Sequence, residues 1–324
     1  MHDSPELARR AAWDAYWAAG GLHSCAGSFT GNYSGAIGAF WADAFGALHG
    51  DQRVLDLATG NGALPQLLHR QFSGRSCPGM AAVDLAAVSP AWFRPGDFPG
   101  LAFHSGVAME QLPFADASFD LVVSQYGFEY ARREPALAEC LRVLRPSGGL
   151  AMVLHHAGSV LVRVGRIELA HHARLLAPDG LVDAARAVLP WFAQARSGAD
   201  LRAVPTALAA RERYNAAIRS LAADIAASPA PDLLAEARDA IHRLLAAVSA
   251  QPGPALAALD DYAGALGAAA LRTAEMIEHA LDDAQAAALV AALHQRRPGS
   301  RIACDPLAQG EGVLGWALRM QSPA

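Results

Sequence analysis

Short apolar segments alternate with helical stretches over residues 53–155, and this alternation restricts the fold more than any other sequence feature. Four segments have the length and composition of buried strands: 53–57, 81–84, 119–124 and 150–154. Strands separated by helices form βαβ units, in which neighbouring strands lie parallel. The alternation therefore predicts an α/β protein with a parallel sheet.

The alternation stops after residue 158 and resumes near the end of the chain. Over 159–298, leucine and alanine recur at helical spacing, and proline pairs and single prolines, Pro190 among them, divide the stretch into five or six predicted helices. Strand patterns return at 301–304 and 313–318. We therefore predict a Rossmann-like, seven-stranded, mostly parallel sheet with a large α-helical insertion between strands 5 and 6.

This reading divides the chain into four segments. Residues 1–50 form an aromatic-rich helical cap, 51–158 the sheet core, 159–298 a helical insertion or lid, and 299–324 the strands that complete the sheet. Many aromatic side chains of the cap are expected to pack on the core, and others to line a pocket.

Composition excludes several classes of protein. The net charge is −5 without a basic stripe, which disfavours a nucleic-acid partner. The four cysteines form no CxxC pair, so neither a metal site nor a disulfide framework is expected. No signal peptide and no apolar stretch of membrane-spanning length are found in the sequence, so we expect a cytoplasmic protein without a membrane partner.

The segment 54–62 ends a predicted strand and opens a helix through a glycine turn. Glycines without side chains let a ligand approach the backbone, and such turns lie at the ligand-binding edge of doubly wound sheets. A dinucleotide fingerprint requires a third glycine, but Pro65 stands at that position. Asp56 before the turn suits a ligand with an ammonium group better than a pyrophosphate.

Four motifs occur here in the order that is typical of the class I S-adenosylmethionine-dependent methyltransferases. They are LDLATGNG at 55–62, Asp84 after the second strand, EQLPFADASFD at 110–120 and LRVLRPSGG at 141–149. The chain resembles the branch of ubiquinone and menaquinone biosynthesis methyltransferases, with a methyltransferase type 11-like domain. The resemblance covers roughly 50–155 and the last 25 residues.

The resemblance implies S-adenosylmethionine as the cofactor. It assigns the ribose hydroxyls to Asp84, and we expect further cofactor contacts from residues around the strand ends: Asp56, Ala58, Gly60, Gly62, Met109, Glu110 and Gln125. Many relatives carry an aspartate where this chain has Ala108. Met109 is therefore expected to pack on the adenine ring, and Glu110 or a backbone carbonyl to receive its amino group.

Candidates for a general base follow the fourth and fifth strands: Glu129, His155 and His156. The alternative is that both histidines are structural. Methyl transfer would then depend on Glu129, or on alignment of an already ionised acceptor alone. We expect Trp17, Tyr33, Tyr126 and Tyr130 to line the acceptor pocket.

The resulting hypothesis is methyl transfer to a small, largely apolar acceptor, at oxygen before carbon or nitrogen, in a biosynthetic or secondary-metabolite pathway. The alternatives are a non-catalytic protein of the same fold whose helical block binds a partner protein, and then an NAD-dependent dehydrogenase. The oligomeric state stays open, with a homodimer as one option.

Overall fold

A computed structural model describes residues 5–24 and 31–322. Within this part of the chain, seven strands form one sheet: β1 Arg53–Leu57, β2 Gly79–Asp84, β3 Leu101–Ser105, β4 Phe119–Gln125, β5 Leu144–Leu154, β6 Arg301–Gln309 and β7 Gly312–Gln321. Their order is β3-β2-β1-β4-β5-β7-β6. Strands β1 to β5 pair in parallel, and β7 runs antiparallel between β5 and β6. The predicted seven-stranded, mostly parallel sheet is confirmed.

Two strands differ from the sequence reading. β3 was not among the predicted segments, because most of its residues are half-buried or exposed and it lacks a continuous apolar run. β5 begins at Leu144, six residues before the predicted segment 150–154, so Pro146 and Gly148 lie inside the strand. Its pairing with β4 shifts between Phe119 and Leu121, which accommodates the extra residues as an irregularity.

Helices cover both faces of the sheet, and the alternation of side chains along β1 shows why. Leu55 packs in one apolar cluster with helices α4 (Arg133–Val143) and α10 (Asp283–Arg296). Val54 packs in a second cluster with α2 (Gly35–Gly46) and α3 (Ala63–Gln71). Successive residues of a strand face opposite sides of the sheet, so one strand serves two cores. The first helix of the described chain is α1, Pro5–Ala18.

Six helices, the last of them α10, occupy the fully described stretch between β5 and β6. The other five are α5 Val160–Leu175, α6 Leu181–Arg196, α7 Pro205–Ala227, α8 Asp232–Ala247 and α9 Gly253–His279. Residues Val164–Ala274 form a compact unit with its own apolar core, narrower than the predicted insertion of 159–298. α10 instead contributes Leu289 and Leu293 to the sheet core.

The predicted helix break at Pro190 is wrong, because α6 continues through this proline. Its neighbours Val188, Leu189 and Ala193 are buried in the core of the helical unit, and this packing outweighs the lost backbone hydrogen bond. Among the described residues, no helix combines the length and the apolar character needed to cross a bilayer.

Candidate active site

The turn after β1 has a left-handed backbone at three positions. Ala58 and Gly60 both have φ of 53°, and Gly62, which precedes α3, has φ of 79°. A left-handed alanine costs free energy and persists only where surrounding contacts hold it. The neighbouring Thr59 N–H donates to the Val83 carbonyl at 3.0 Å, which fixes the turn against β2.

Asp84, the last residue of β2, completes this turn from the neighbouring strand. Its Oδ2 accepts the Gly60 N–H at 2.8 Å, and its Oδ1 accepts the Ala86 N–H at 2.8 Å. Burial raises the pKa of this carboxyl to about 6, and the backbone hydrogen bonds lower it in part. Asp84 also lines the cavity beside the turn, where its predicted contact with ribose would be made.

Asp56 lies in β1 and is only 1% exposed. Its Oδ2 has no hydrogen-bond partner among the described residues. Burial raises the pKa of Asp56 to about 8; the Thr59 hydroxyl opposes this shift and the nearby Asp84 charge adds to it. A buried carboxyl without a partner is costly, so the site is suited to a ligand that brings a cation or a hydrogen-bond donor.

A cavity opens beside the glycine turn, with about 1170 Å³ of space between atoms, part of it open to solvent. Most of the predicted site residues line it. The predicted cofactor contacts among them are Asp56, Ala58, Asp84, Met109, Glu110 and Gln125. The predicted acceptor contacts among them are Trp17, Tyr33, Tyr126 and Tyr130. All the described lining residues fall between Glu6 and Ala131.

Gly60 and Gly62 shape the turn but lie under aromatic rings. A Cβ atom on Gly60 would lie 2.5 Å from Cη2 of Trp17, and one on Gly62 would lie 2.7 Å from Cζ of Phe103. Both distances are shorter than any real contact, so each ring rests directly on a glycine. These glycines permit aromatic rings to pack on the turn. Neither is among the described residues that line the cavity, so the cofactor contacts expected of them stay predictions.

The predicted adenine contacts lie in the segment between β3 and β4. Glu110 is half-buried, and its Oε1 accepts the Arg132 N–H at 3.0 Å. Met109 packs against the apolar cluster below it. At the end of β4, Oε1 of Gln125 accepts the Trp41 indole N–H at 2.5 Å, while Nε2 is buried without a partner among the described residues.

His155 and Glu129 form a buried pair at the ends of β5 and β4. Oε1 of Glu129 lies 2.7 Å from Nδ1 of His155 and accepts the His155 backbone N–H at 2.7 Å. The imidazole stacks on Tyr126 with ring centroids 4.2 Å apart and meets Tyr130 edge-on at 5.9 Å. Neither member of the pair is among the described residues that line the cavity, whereas the two tyrosines that contact His155 are.

His156 lies elsewhere. Its ring stacks on Trp316 at 4.4 Å, and its Nδ1 accepts the Gly158 N–H at 2.8 Å. Neighbouring residues at a strand end point to opposite sides, so only His155 is directed toward the tyrosines of the cavity. The structure therefore brings Glu129 and His155 together and leaves His156 in a structural setting.

The sequence reading missed one wall of the cavity. α1 contributes four side chains to it: Glu6, Arg9, Trp13 and Trp17. Only Trp17 had been predicted there. Intervals of three and four residues place all four on one face of a helix, and this spacing was the available indication. His23, which stacks on Tyr33 at 4.3 Å, was also missed.

S-adenosylmethionine fits the residues that are present. The unpartnered oxygen of Asp56 is suited to its ammonium group, and Asp84 lines the same cavity beside the turn. In the described part of the chain, no three His, Cys, Asp or Glu side chains are grouped to hold a metal ion.

Comparison with known proteins agrees with this assignment. A family model described as "Methyltransferase domain" matches residues 55–152. Over 103 residues the chain is 40% identical to malonyl-[acyl-carrier protein] O-methyltransferase from Methylococcus capsulatus, covering 31% of this chain and 36% of that protein. Over 104 residues it is 32% identical to demethylmenaquinone methyltransferase from Thermotoga maritima, covering 32% and 43%.

A third relative is the ubiquinone/menaquinone biosynthesis C-methyltransferase from Stutzerimonas stutzeri, 35% identical over 134 residues, with 37% of this chain and 49% of that protein covered. The chain thus spans less than half the length of each of these relatives. Residues 55–152 form a methyltransferase domain that uses S-adenosylmethionine, and this domain is similar to the ubiquinone/menaquinone biosynthesis methyltransferases.

Proposed function

We propose that this chain methylates an oxygen atom of a small, largely apolar acceptor. The observation that carries the proposal is the buried Glu129–His155 pair behind the tyrosines of the cavity. S-adenosylmethionine supplies the methyl group already activated as a sulfonium. What remains for the protein is to align the acceptor, exclude water and remove a proton.

The cavity wall supports an apolar acceptor. Aromatic rings from α1 and from the end of β4 line it, among them Trp13, Trp17, Tyr126 and Tyr130. Pockets for small organic molecules are typically apolar with a few placed polar groups. We infer an acceptor with an aromatic or extended apolar body.

His155 is the proposed general base. The Glu129 carboxylate accepts from Nδ1, which keeps the proton on that nitrogen and leaves the lone pair on Nε2. No hydrogen bond joins Nε2 to another described residue. His155 contacts Tyr126 and Tyr130 but is not itself among the described cavity residues, so the proposal requires one of these rings to move for proton transfer.

Carbon is the second candidate for the acceptor atom, and nitrogen the third. The similar proteins are named as an O-methyltransferase and as a C-methyltransferase, so similarity to them supports both. A carbon acid beside a carbonyl also loses a proton to a base, so His155 would have the same role. We place the reaction in biosynthesis, secondary metabolism included, and in the cytoplasm, with a small molecule as partner and a homodimer as one option for assembly.

We also propose that the unit Val164–Ala274 is needed for acceptor turnover and not for cofactor binding. All described residues that line the cavity belong to the segment between Glu6 and Ala131, outside this unit. The lid role predicted from the sequence for 159–298 stays a prediction.

The alternative is a non-catalytic protein whose helical unit binds a partner. The exposed Phe192 and Leu208 of that unit are the observation in its favour. The unpartnered Asp56 oxygen in the open cavity supports a bound ligand under either hypothesis, so a measurement of methyl transfer decides between them.

The test uses S-adenosylmethionine labelled in the methyl group and a panel of phenols, hydroxy acids and quinols, with analysis of the methylated atom. His155→Ala and Glu129→Gln should lower turnover by about 10²- to 10⁴-fold. His156→Ala is the matched control and should keep the wild-type rate. Affinity for S-adenosylhomocysteine should be unchanged in all three variants.

Two outcomes would overturn the proposal. If His155→Ala turned over at the wild-type rate, His155 would not be a general base, and alignment of the acceptor with the methyl group alone would account for the reaction. Tight S-adenosylhomocysteine binding without methyl transfer to any member of the panel would favour the non-catalytic alternative.

A further inference from the structure

Arg9 is the single arginine or lysine among the described residues that line the cavity. The carboxylic acid side chains there are Glu6, Asp56, Asp84 and Glu110. Two of the four, Asp56 and Asp84, belong to the cofactor turn described above. An isolated cation in such a wall is a candidate for contact with a negative group of a ligand.

Two side chains of α9 contact the guanidinium of Arg9. Its Nε donates to Oε1 of Glu275, a residue of α9 that is only 7% exposed. Its Nη2 lies 3.4 Å from Nε2 of His279. Burial and the Arg9 charge lower the pKa of His279, so this ring stays neutral beside the guanidinium at pH 7.

Donors remain on the other edge of the group. A guanidinium carries five N–H groups in a rigid plane, and Glu275 occupies the Nε position. Nη1 has no hydrogen-bond partner among the described residues, and the Arg9 side chain is 33% exposed. The fork formed by the terminal nitrogens matches a carboxylate in geometry and charge.

A series of ring contacts connects Arg9 with the tyrosine that contacts the proposed base. His279, which Arg9 approaches, has its ring centroid 5.2 Å from that of Tyr130. The Tyr130 ring in turn lies 5.9 Å from the ring of His155 and 6.2 Å from that of Trp13. Arg9 is therefore connected through His279 to Tyr130, one of the residues predicted to line the acceptor pocket.

We propose that Arg9 binds a carboxylate of the methyl acceptor and that Glu275 is its positioning residue. This inference rests on the proposed function and narrows its substrate class to small aromatic or apolar hydroxy acids. The acid group lies at Arg9 and the hydroxyl is directed toward His155. The competing explanation is that the Arg9–Glu275 ion pair only attaches α1 to α9.

The experiment measures binding of matched ligand pairs to protein saturated with S-adenosylhomocysteine. The pairs are 2-, 3- and 4-hydroxybenzoate and 4-hydroxycinnamate, each with its primary amide, which keeps the shape and removes the charge. In the wild type, at least one acid should bind about 10- to 100-fold more tightly than its amide, as expected for charge-assisted hydrogen bonds.

Arg9→Gln should abolish the preference for the acid and leave amide binding unchanged, while Arg9→Lys should retain part of it. Glu275→Gln should reduce the preference, because the guanidinium loses its fixed orientation. The matched control is Arg10→Gln, since Arg10 lies beside Arg9 on α1 and pairs with Asp14 outside the cavity wall. This control should keep the wild-type preference.

The outcomes separate the two proposals. If S-adenosylhomocysteine does not bind, the proposed function fails. If it binds but no acid is preferred over its amide, the proposal that Arg9 binds a carboxylate is wrong and the proposed function stands. The same conclusion follows if Arg9→Gln keeps the preference. If Arg9→Gln lowered the affinities for acid and amide equally, the ion pair would serve only to attach α1 to α9.

Discussion

The indole ring of Trp17 rests on the backbone of Gly60, so closely that a methyl group on Gly60 would overlap the ring. Asn61 reinforces the contact, because its side-chain amide donates to the Trp17 carbonyl at 2.9 Å and to the Gly21 carbonyl at 2.8 Å. The end of α1 is thereby fixed on the turn where the cofactor is predicted to bind. One glycine thus links the position of the N-terminal helix to the shape of the binding site.

The first prediction is that Gly60→Ala weakens S-adenosylhomocysteine binding by at least about 10-fold. The new Cβ would lie 2.5 Å from Cη2 of Trp17, and the left-handed φ of 53° is strained for alanine, so ring and turn must both move. Calorimetry gives the affinity, and Trp fluorescence reports the displacement of the ring.

The control for this prediction is Gly74→Ala. Gly74 also has a left-handed backbone, with φ of 77°, but a Cβ there would meet no atom within 4 Å. The Gly74→Ala variant should have a lower free energy of unfolding and an unchanged affinity for S-adenosylhomocysteine. Equal affinities of Gly60→Ala and the wild type would show that the Trp17 contact has no part in cofactor binding.

The second prediction concerns proton release by Asp56. Its pKa of about 8 keeps the carboxyl largely protonated at pH 7. An ammonium group at this site favours the carboxylate, so binding should release close to one proton, and S-adenosylhomocysteine affinity should rise between pH 6 and 8. Calorimetry at pH 7 in phosphate and in Tris separates the proton contribution, because these buffers differ in ionisation enthalpy.

Asp56→Asn should bind S-adenosylhomocysteine more weakly and release no proton on binding.

The Asp56 carboxyl also makes the free energy of unfolding depend on pH. The folded state holds the proton up to about pH 8 and the unfolded state loses it near pH 4, so the Asp56 contribution to the free energy of unfolding falls as pH rises through this window. A binding enthalpy that is identical in both buffers would contradict the assignment of the ammonium group to Asp56.

The third prediction concerns Asp84, whose two oxygens each accept a backbone N–H at 2.8 Å. Asp84→Ala should weaken S-adenosylhomocysteine binding by about 10- to 100-fold through loss of the ribose contact. It should also lower the free energy of unfolding by about 1–3 kcal/mol, because the Gly60 and Ala86 amides lose their acceptor. Urea denaturation measures the second effect.

Asp120→Ala is the matched control, since Asp120 also accepts a backbone amide, that of Arg53 at 2.8 Å, and is not among the described cavity residues. This variant should be destabilised and retain its affinity. If Asp84→Ala binds as tightly as the wild type, the ribose contact belongs to another residue.

The sequence alone determined the fold class and the cofactor turn. Apolar runs and a glycine turn are local patterns, and the carboxyl ends of parallel strands meet at one edge, so Asp56 and Asp84 were predictable as neighbours. The aromatic residues of the first 50 positions were also visible, although residues 1–4 and 25–30 lie outside the described part of the chain.

Only the tertiary structure decided which side chains act in pairs. His155 bonds to Glu129 across 26 positions, and Arg9 bonds to Glu275 across 266. Packing between elements likewise explains why α6 continues through Pro190 and why the half-exposed segment of β3 forms a strand. The physical reason is common to all four: each depends on contacts between elements that are distant in the chain, and local residue preferences do not encode which distant surfaces meet.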